Sequence, residues 1–134
     1  MNSIQTVQTF LDHIFNARMQ EALALVAGDA IFIPTRPQSS ATIPLYGTYR
    51  GPEGAAQVFT NFAAALKPGL FNVEAALDLG EHALMYGQLR HEALASGRQF
   101  VSDWALICKV RQGLITHYHF YEDTAALEQA LAVA

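Results

Sequence analysis

The stretch FVSDWALICKVRQGLITHYHFYED, residues 100–123, decides how the rest of the chain is read. Taking every second residue puts Phe100, Ser102, Trp104, Leu106, Cys108 and Val110 on one face, and Val101, Asp103, Ala105, Ile107 and Lys109 on the other. After Gln112-Gly113 the alternation resumes, with Leu114, Thr116, Tyr118, Phe120 and Glu122 opposed to Ile115, His117, His119 and Tyr121. Period two sustained this long predicts two strands, and a two-residue break containing Gly predicts a hairpin between them. Neither face is polar enough to lie in open water. The sheet is therefore expected to curve, its concave face against helices and its convex face against a further apolar partner.

Upstream of the hairpin, the apolar spacing of Ile4, Val7, Leu11 and Ile14 predicts a helix over 3–17, with Ser3 as its N-cap. A short helix over 19–27 ends at Gly28, and a strand over 29–33 is closed by Pro34. Residues 34–51 read as a long loop of the kind that forms rims and lids. A third helix over 53–66 starts at Pro52, shows Ala55, Val58, Phe59 and Phe62 on its apolar face, and stops at Pro68-Gly69. Strands over 71–79 and 82–95 lead into the hairpin. The first is expected to show Phe71, Val73, Ala75, Leu77 and Leu79 on one side, with Asn72, Glu74 and Asp78 on a wet one. The second shows Ala83, Met85, Gly87, Leu89, His91 and Ala93 together. Asp123 caps a last helix over 124–131. Helices followed by a four-strand meander predict an α+β arrangement.

Bulk properties narrow the class. The chain has 134 residues, enough for one domain that buries roughly 68% of its unfolded surface. It is 51% hydrophobic and only 15% charged, with a net charge of -4. A typical soluble domain is about 25% charged, so extra apolar surface must be hidden in a cavity or a self-association face. With no Lys/Arg cluster, the phosphate-neutralising charge needed for nucleic acid is missing. The one cysteine, Cys108, suits a reducing compartment; no membrane span and no signal-peptide layout is read, so a cytoplasmic protein is expected.

Three stretches carry a resemblance: PLYGTYRGPEGAAQVF at 44–59, SGRQFVSDWALICKVRQGLI at 96–115 and HYHFYEDTAALEQAL at 117–131. Their order and spacing resemble the SnoaL-like, ketosteroid-isomerase-related branch of the nuclear transport factor 2-like superfamily, over nearly the whole chain. The resemblance implies one SnoaL-like domain over 1–134. It also implies a cone-shaped α+β barrel, a curved and mostly antiparallel sheet wrapped around three N-terminal helices, and a homodimer through the convex sheet face. The superfamily includes isomerases, epoxide hydrolases, polyketide cyclases and members that only bind ligands, so fold alone does not assign an activity. The position of the isomerases' general-base Asp matches Pro34, that of their oxyanion-binding Tyr matches Leu11, and that of their protonated Asp matches Trp104 or Leu106. The water-activating set of the epoxide hydrolases matches Gly87, Leu89, Phe120, Phe32 and Pro34. Neither acid–base set is present at those positions.

The expected pocket lining is Phe32, Pro34, Phe59, Phe62, Leu89, Phe100, Ser102, Trp104, Tyr118 and Phe120. His91 is a candidate acid or base near neutral pH, Glu122 a candidate acid if buried, and Tyr118 a hydrogen-bond donor. Each also has a plain structural reading: a satisfied core histidine, a solvated strand-end carboxylate, a packed aromatic ring. Ser102 has no base beside it and reads as a hydrogen-bond donor. Asp103 falls on the outer face with Lys109 and reads as a cross-strand ion pair or a dimer contact, and Cys108 reads as an inert buried thiol. His117 and His119 share a face but lack a third ligand, so neither metal nor cofactor is expected. Two functions stand open. One is a protein that binds an apolar or aromatic small molecule without the usual acid–base set. The other is an isomerase, cyclase or hydrolase of a polyketide- or steroid-like substrate, using His91 or Glu122 with Tyr118.

Overall fold

In the computed structural model, which describes residues 1–132, the hairpin joins β5 (Gln99–Arg111) to β6 (Leu114–Glu122). Gln112 and Gly113 both have positive φ, 53° and 77°, the left-handed pair that a tight two-residue hairpin turn needs. Before it come α1 (Ser3–Phe15), α2 (Met19–Leu23), β1 (Val26–Ile33), β2 (Tyr49–Arg50), α3 (Gly51–Ala65), β3 (Leu66–Leu79) and β4 (His82–Ala93). α4 (Thr124–Leu131) follows, capped by the Asp123 side chain on the Ala126 N–H at 3.1 Å. The six strands form one curved sheet in the order β2-β1-β6-β5-β4-β3. Only β1 and β6 run parallel. β2 and β3 remain the two edges, so the sheet curls around the helices without closing. The fold is α+β, with three N-terminal helices in the concavity. Among the described residues no helix is long and apolar enough to cross a membrane.

Several expectations shift at element boundaries, each for a physical reason. Asn2 caps α1, not Ser3: its side chain accepts from the Gln5 N–H while the Gln5 side chain accepts from the Asn2 N–H, a capping box. The Ser3 hydroxyl instead donates to the Gly80 carbonyl, tying the helix to the β3–β4 turn. Gly28 lies inside β1, in the register shift between Val26, which pairs with Ile115, and Ile31, which pairs with His117 and Arg50. Pro68-Gly69 does not end α3. The chain passes straight from Ala65 into β3, and the pair sits in a register shift between Lys67 and Leu70.

A second bulge, between Val73 and Ala75, reverses the facing of the rest of β3. Beyond it Ala76 and Asp78 pair with the inward-facing Met85 and Ala83, while Leu77 and Leu79 stand exposed. Asp78, expected on the wet side, accepts from the Ile4 N–H at 3.3 Å. A further shift, between Lys109 and Val110, brings Ile115 inward in place of Leu114 and Thr116; Ile115 is fully buried. Bulges bend and twist strands. Together they give the sheet its curl. The core fills the concave side, where Phe10 of α1 touches Phe32, Phe59 and Tyr118 with ring centroids 5.8, 5.8 and 6.2 Å away.

Candidate functional site

Between the helices and the concave face lies a cavity of about 630 Å³, within the range of small-molecule sites. It is bordered by Leu11, Ile14 and Phe15 of α1, by Met19, by Pro34 and Leu45 of the loop, and by residues of α3 and of β3 to β6. Of the expected lining residues, Pro34, Phe59, Phe62, Leu89, Phe100, Tyr118 and Phe120 border it, as do His91 and Glu122.

Phe32, Ser102 and Trp104 do not border it. All three face inward and are buried, Phe32 and Trp104 against other rings. Phe32 stacks on Tyr118 at 4.6 Å and 9°. Trp104 stacks on Phe71 and Phe120 at 4.5 and 5.4 Å. The Ser102 hydroxyl accepts from the Asp123 N–H at 2.9 Å and donates to the Asp103 carbonyl, anchoring the start of α4.

Bordering residues that sequence reading did not place in the lining include Phe15, Met19, Leu45, Pro68, Gly69 and Phe71, besides Leu11, Ile14, Val58, Ala63 and Leu66. The helical stripe of α1 pointed toward Phe15, and alternation toward Phe71. No local pattern marks Pro68-Gly69, because the bulge that brings them to the cavity is a property of strand pairing. Phe15 is 60% exposed, and Ala63, Pro68 and Gly69 are also exposed. The mouth therefore lies between the ends of α1 and α3 and the start of β3. The inner walls at Leu11, Leu45, Val58, Leu89, Phe100 and Tyr118 are buried.

Three bordering side chains carry ionisable or hydrogen-bonding groups: His91, Tyr118 and Glu122. His91 sits on β4 opposite the Lys67–Leu70 bulge, where its Nδ1 accepts from the Gly69 N–H at 3.1 Å. That bond satisfies a donor the bulge removes from the ladder, and it assigns the ring proton to Nε2. Burial lowers the pKa of His91, with the Arg90 backbone partly opposing, so the ring is neutral near pH 7. Burial pushes the Tyr118 hydroxyl up and keeps it protonated.

Glu122 is raised from 4.5 to about 7 by burial, partly offset by the Thr35 hydroxyl, which lies 3.0 Å from Oε1. Its Oε2 is buried without a partner among the described residues. Such an arrangement is tolerable because a desolvated carboxyl near its midpoint is neutral for much of the time.

Tyr118 and Glu122 are four residues apart on one strand, about 13 Å along it. His91 lies opposite Phe100, and Glu122 opposite Trp104, so His91 is two strands and four residues away from Glu122. The three groups interrupt an otherwise apolar lining. They can hold polar atoms at the ends of a flat ligand, and Glu122 can exchange a proton with it near neutral pH.

Outside the cavity, Asp103 is exposed on the outer face. The ion pairs among the described residues are Arg18–Asp12 and Arg111–Glu81, so the cross-strand ion pair expected of Asp103 is not formed. Cys108 is buried, and burial pushes its thiol up. His119 stacks on Tyr121 at 3.8 Å and directs a ring nitrogen to the Thr35 carbonyl at 3.2 Å. Among the described residues no three His, Cys, Asp or Glu side chains converge to hold a metal.

Among curated proteins no sequence matches significantly. Solved structures match the fold closely. An NTF2-like protein from Burkholderia xenovorans LB400 is 25% identical, with a TM-score of 0.84 over 96% of this chain and 95% of its own. A hypothetical protein with a ketosteroid isomerase-like fold from Catenulispora acidiphila DSM 44928, in complex with trimethylamine, is 13% identical, with a TM-score of 0.75 over 100% of this chain and 96% of its own. TerC co-crystallised with polyporic acid is 17% identical, with a TM-score of 0.78 over 96% of both chains. The SnoaL-like domain matches residues 7–118. An open, curled sheet around three helices, with a cavity between them and that match across most of its length, places the chain in the SnoaL-like domain family.

Proposed function

We propose that the cavity binds a flat, apolar or aromatic small molecule that carries at least one oxygen group, met by the Glu122 carboxyl. The observation that carries this reading is the lining itself: an apolar wall interrupted at three separate points by hydrogen-bonding groups. Aromatic surface sets the shape of the guest, and a few placed polar groups set its orientation. Such a guest would resemble the polyketide- or steroid-like molecules expected from sequence. Pro34, Leu11, Leu89 and Phe120, the residues that the resemblance sets at positions of the isomerase and epoxide-hydrolase groups, border the cavity and carry no acid or base.

Calorimetric titration with 2-naphthol tests the proposal. Saturable binding of one molecule per chain is expected, with at least tenfold weaker binding in Ala63→Trp, which plugs the mouth. No saturable binding, or equal binding by the plugged variant, overturns it. A second reading, proton transfer on the bound molecule, is favoured by the titration of Glu122 near neutrality. It uses Glu122 as acid or base, with Tyr118 or His91 as hydrogen-bond donor.

The outer face supports a homodimer. Leu77, Tyr86, Val101, Ile107 and Tyr121 stand exposed there, a stripe of apolar side chains across β3 to β6. Sedimentation at micromolar concentration is expected to give a dimer, and Ile107→Asp a monomer. A monomeric wild-type chain removes this account of the convex face. A lone, buried cysteine suits a reducing compartment such as the cytoplasm.

A further inference from the structure

We infer that Thr35 is a positioning residue for Glu122, holding its carboxyl in one orientation whether or not it carries a proton. The inference rests on the reading of Glu122 as the cavity's acid–base group. Thr35 is buried just past β1, and its main chain is pinned from the outer side by the His119 ring on its carbonyl, 3.2 Å away. Its hydroxyl reaches two acceptors, the Pro34 carbonyl and Glu122 Oε1, the latter at 3.0 Å.

A hydroxyl has one proton to donate and lone pairs to accept with. When Glu122 is ionised, the Thr35 O–H donates to Oε1. When a proton arrives on Oε1, the carboxyl O–H donates to Thr35 Oγ, and the Thr35 O–H turns to the Pro34 carbonyl. One proton is gained, each proton stays hydrogen-bonded, and no heavier atom moves. A carboxyl held this way exchanges its proton without reorganising, which favours acid–base work in a water-poor site.

Other titratable groups near Glu122 do not serve this role. Tyr118, on the same strand, keeps its proton at neutral pH. Tyr46, from the loop, is raised to about 12 by burial and by its 2.8 Å bond to Glu128, with Arg36 over its ring. Asp123, the next residue, is occupied in capping α4. His91 is held by Gly69 two strands away.

The test uses the full chain without ligand, labelled with 13C-glutamate, and follows the Glu122 carboxyl by NMR from pH 4 to 9 in wild type, Thr35→Val, Thr35→Ala and Thr35→Ser. Losing a hydrogen bond that favours the charged form is expected to raise the midpoint by about one pH unit in the Val and Ala variants. The Ser variant, which keeps the hydroxyl, stays near wild type. If Thr35→Val does not fold, Thr35→Ala carries the comparison without added bulk. Unchanged midpoints in Val and Ala, or a Ser variant shifted as far as Val, overturn the role of Thr35 and leave the cavity reading standing. A wild-type midpoint near 4.5 would instead remove Glu122 from the site, whatever Thr35 does.

Discussion

Replacing Gly87 with alanine destabilises the protein by about 3 kcal/mol, read as a lowered midpoint in urea unfolding. A Cβ at this position would stand 1.8 Å from the Asn72 carbonyl oxygen, 2.8 Å from its carbon and 3.1 Å from the Glu74 nitrogen. These are main-chain atoms of the Val73–Ala75 bulge, and a main chain locked in a ladder on either side of a bulge does not swing away as a side-chain tip does. Relief requires β3 to lift from β4. That displacement drags Phe71, which stacks on Trp104 and walls the cavity. Because Trp104 is the one tryptophan, its fluorescence is expected to change together with stability. Gly28→Ala is the control: its Cβ would meet nothing within 4 Å, and its φ is not positive. That change is expected to be neutral or slightly stabilising, since alanine restricts the unfolded chain. Equal stability of the two variants would mean that the close approach of β3 to β4 at Gly87 does not exist in solution.

The same bulges mark the limit of what alternation reveals. Along β4 and β5 the period of two runs without interruption, so the facing of His91 and Trp104 can be read residue by residue from Gly87 or Phe100 onward. On β3 and β6 an extra residue inserts where pairing demands it, and no residue type in LFNVEAALDL or LITHYHFYE announces the place. Hence Asp78 and Ile115 read to the wrong side, while Tyr118 and Glu122, beyond the shift in β6, read to the right one. Periodicity also gives direction without depth: Trp104 and Phe120 share a face, yet only Phe120 reaches the space, because Phe71 arrives across β4 to cover the indole. Thr35 carries no signal at all. It is one hydroxyl in a proline-rich loop, and its meaning comes from a carboxyl 87 positions later in the chain.

Glu122→Gln is expected to remove a pH dependence of roughly 3 kcal/mol from the stability of the fold. The folded-state pKa is about 7 against 4.5 for an unburied carboxyl, a raised value caused first by burial. Below pH 4.5 the group is protonated in both states, and the stability it permits is fully present. As pH rises from 4.5 toward 7, the unfolded chain releases the proton and the folded one keeps it, so unfolding is progressively favoured. Above 7 both states are ionised and the penalty is constant. Glutamine has the same shape and no proton to lose, so the variant escapes this loss. His91 works in the opposite sense, since its lowered pKa costs stability as pH falls below the ordinary 6.5. The two trends overlap, and only the difference between wild type and Glu122→Gln at each pH isolates the carboxyl. Urea unfolding from pH 4 to 8 should show that difference flat at the acid end, rising through the interval and level above about 7. If it is flat throughout, Glu122 is solvated like any surface carboxylate, and the cavity holds no group poised to move a proton at neutral pH.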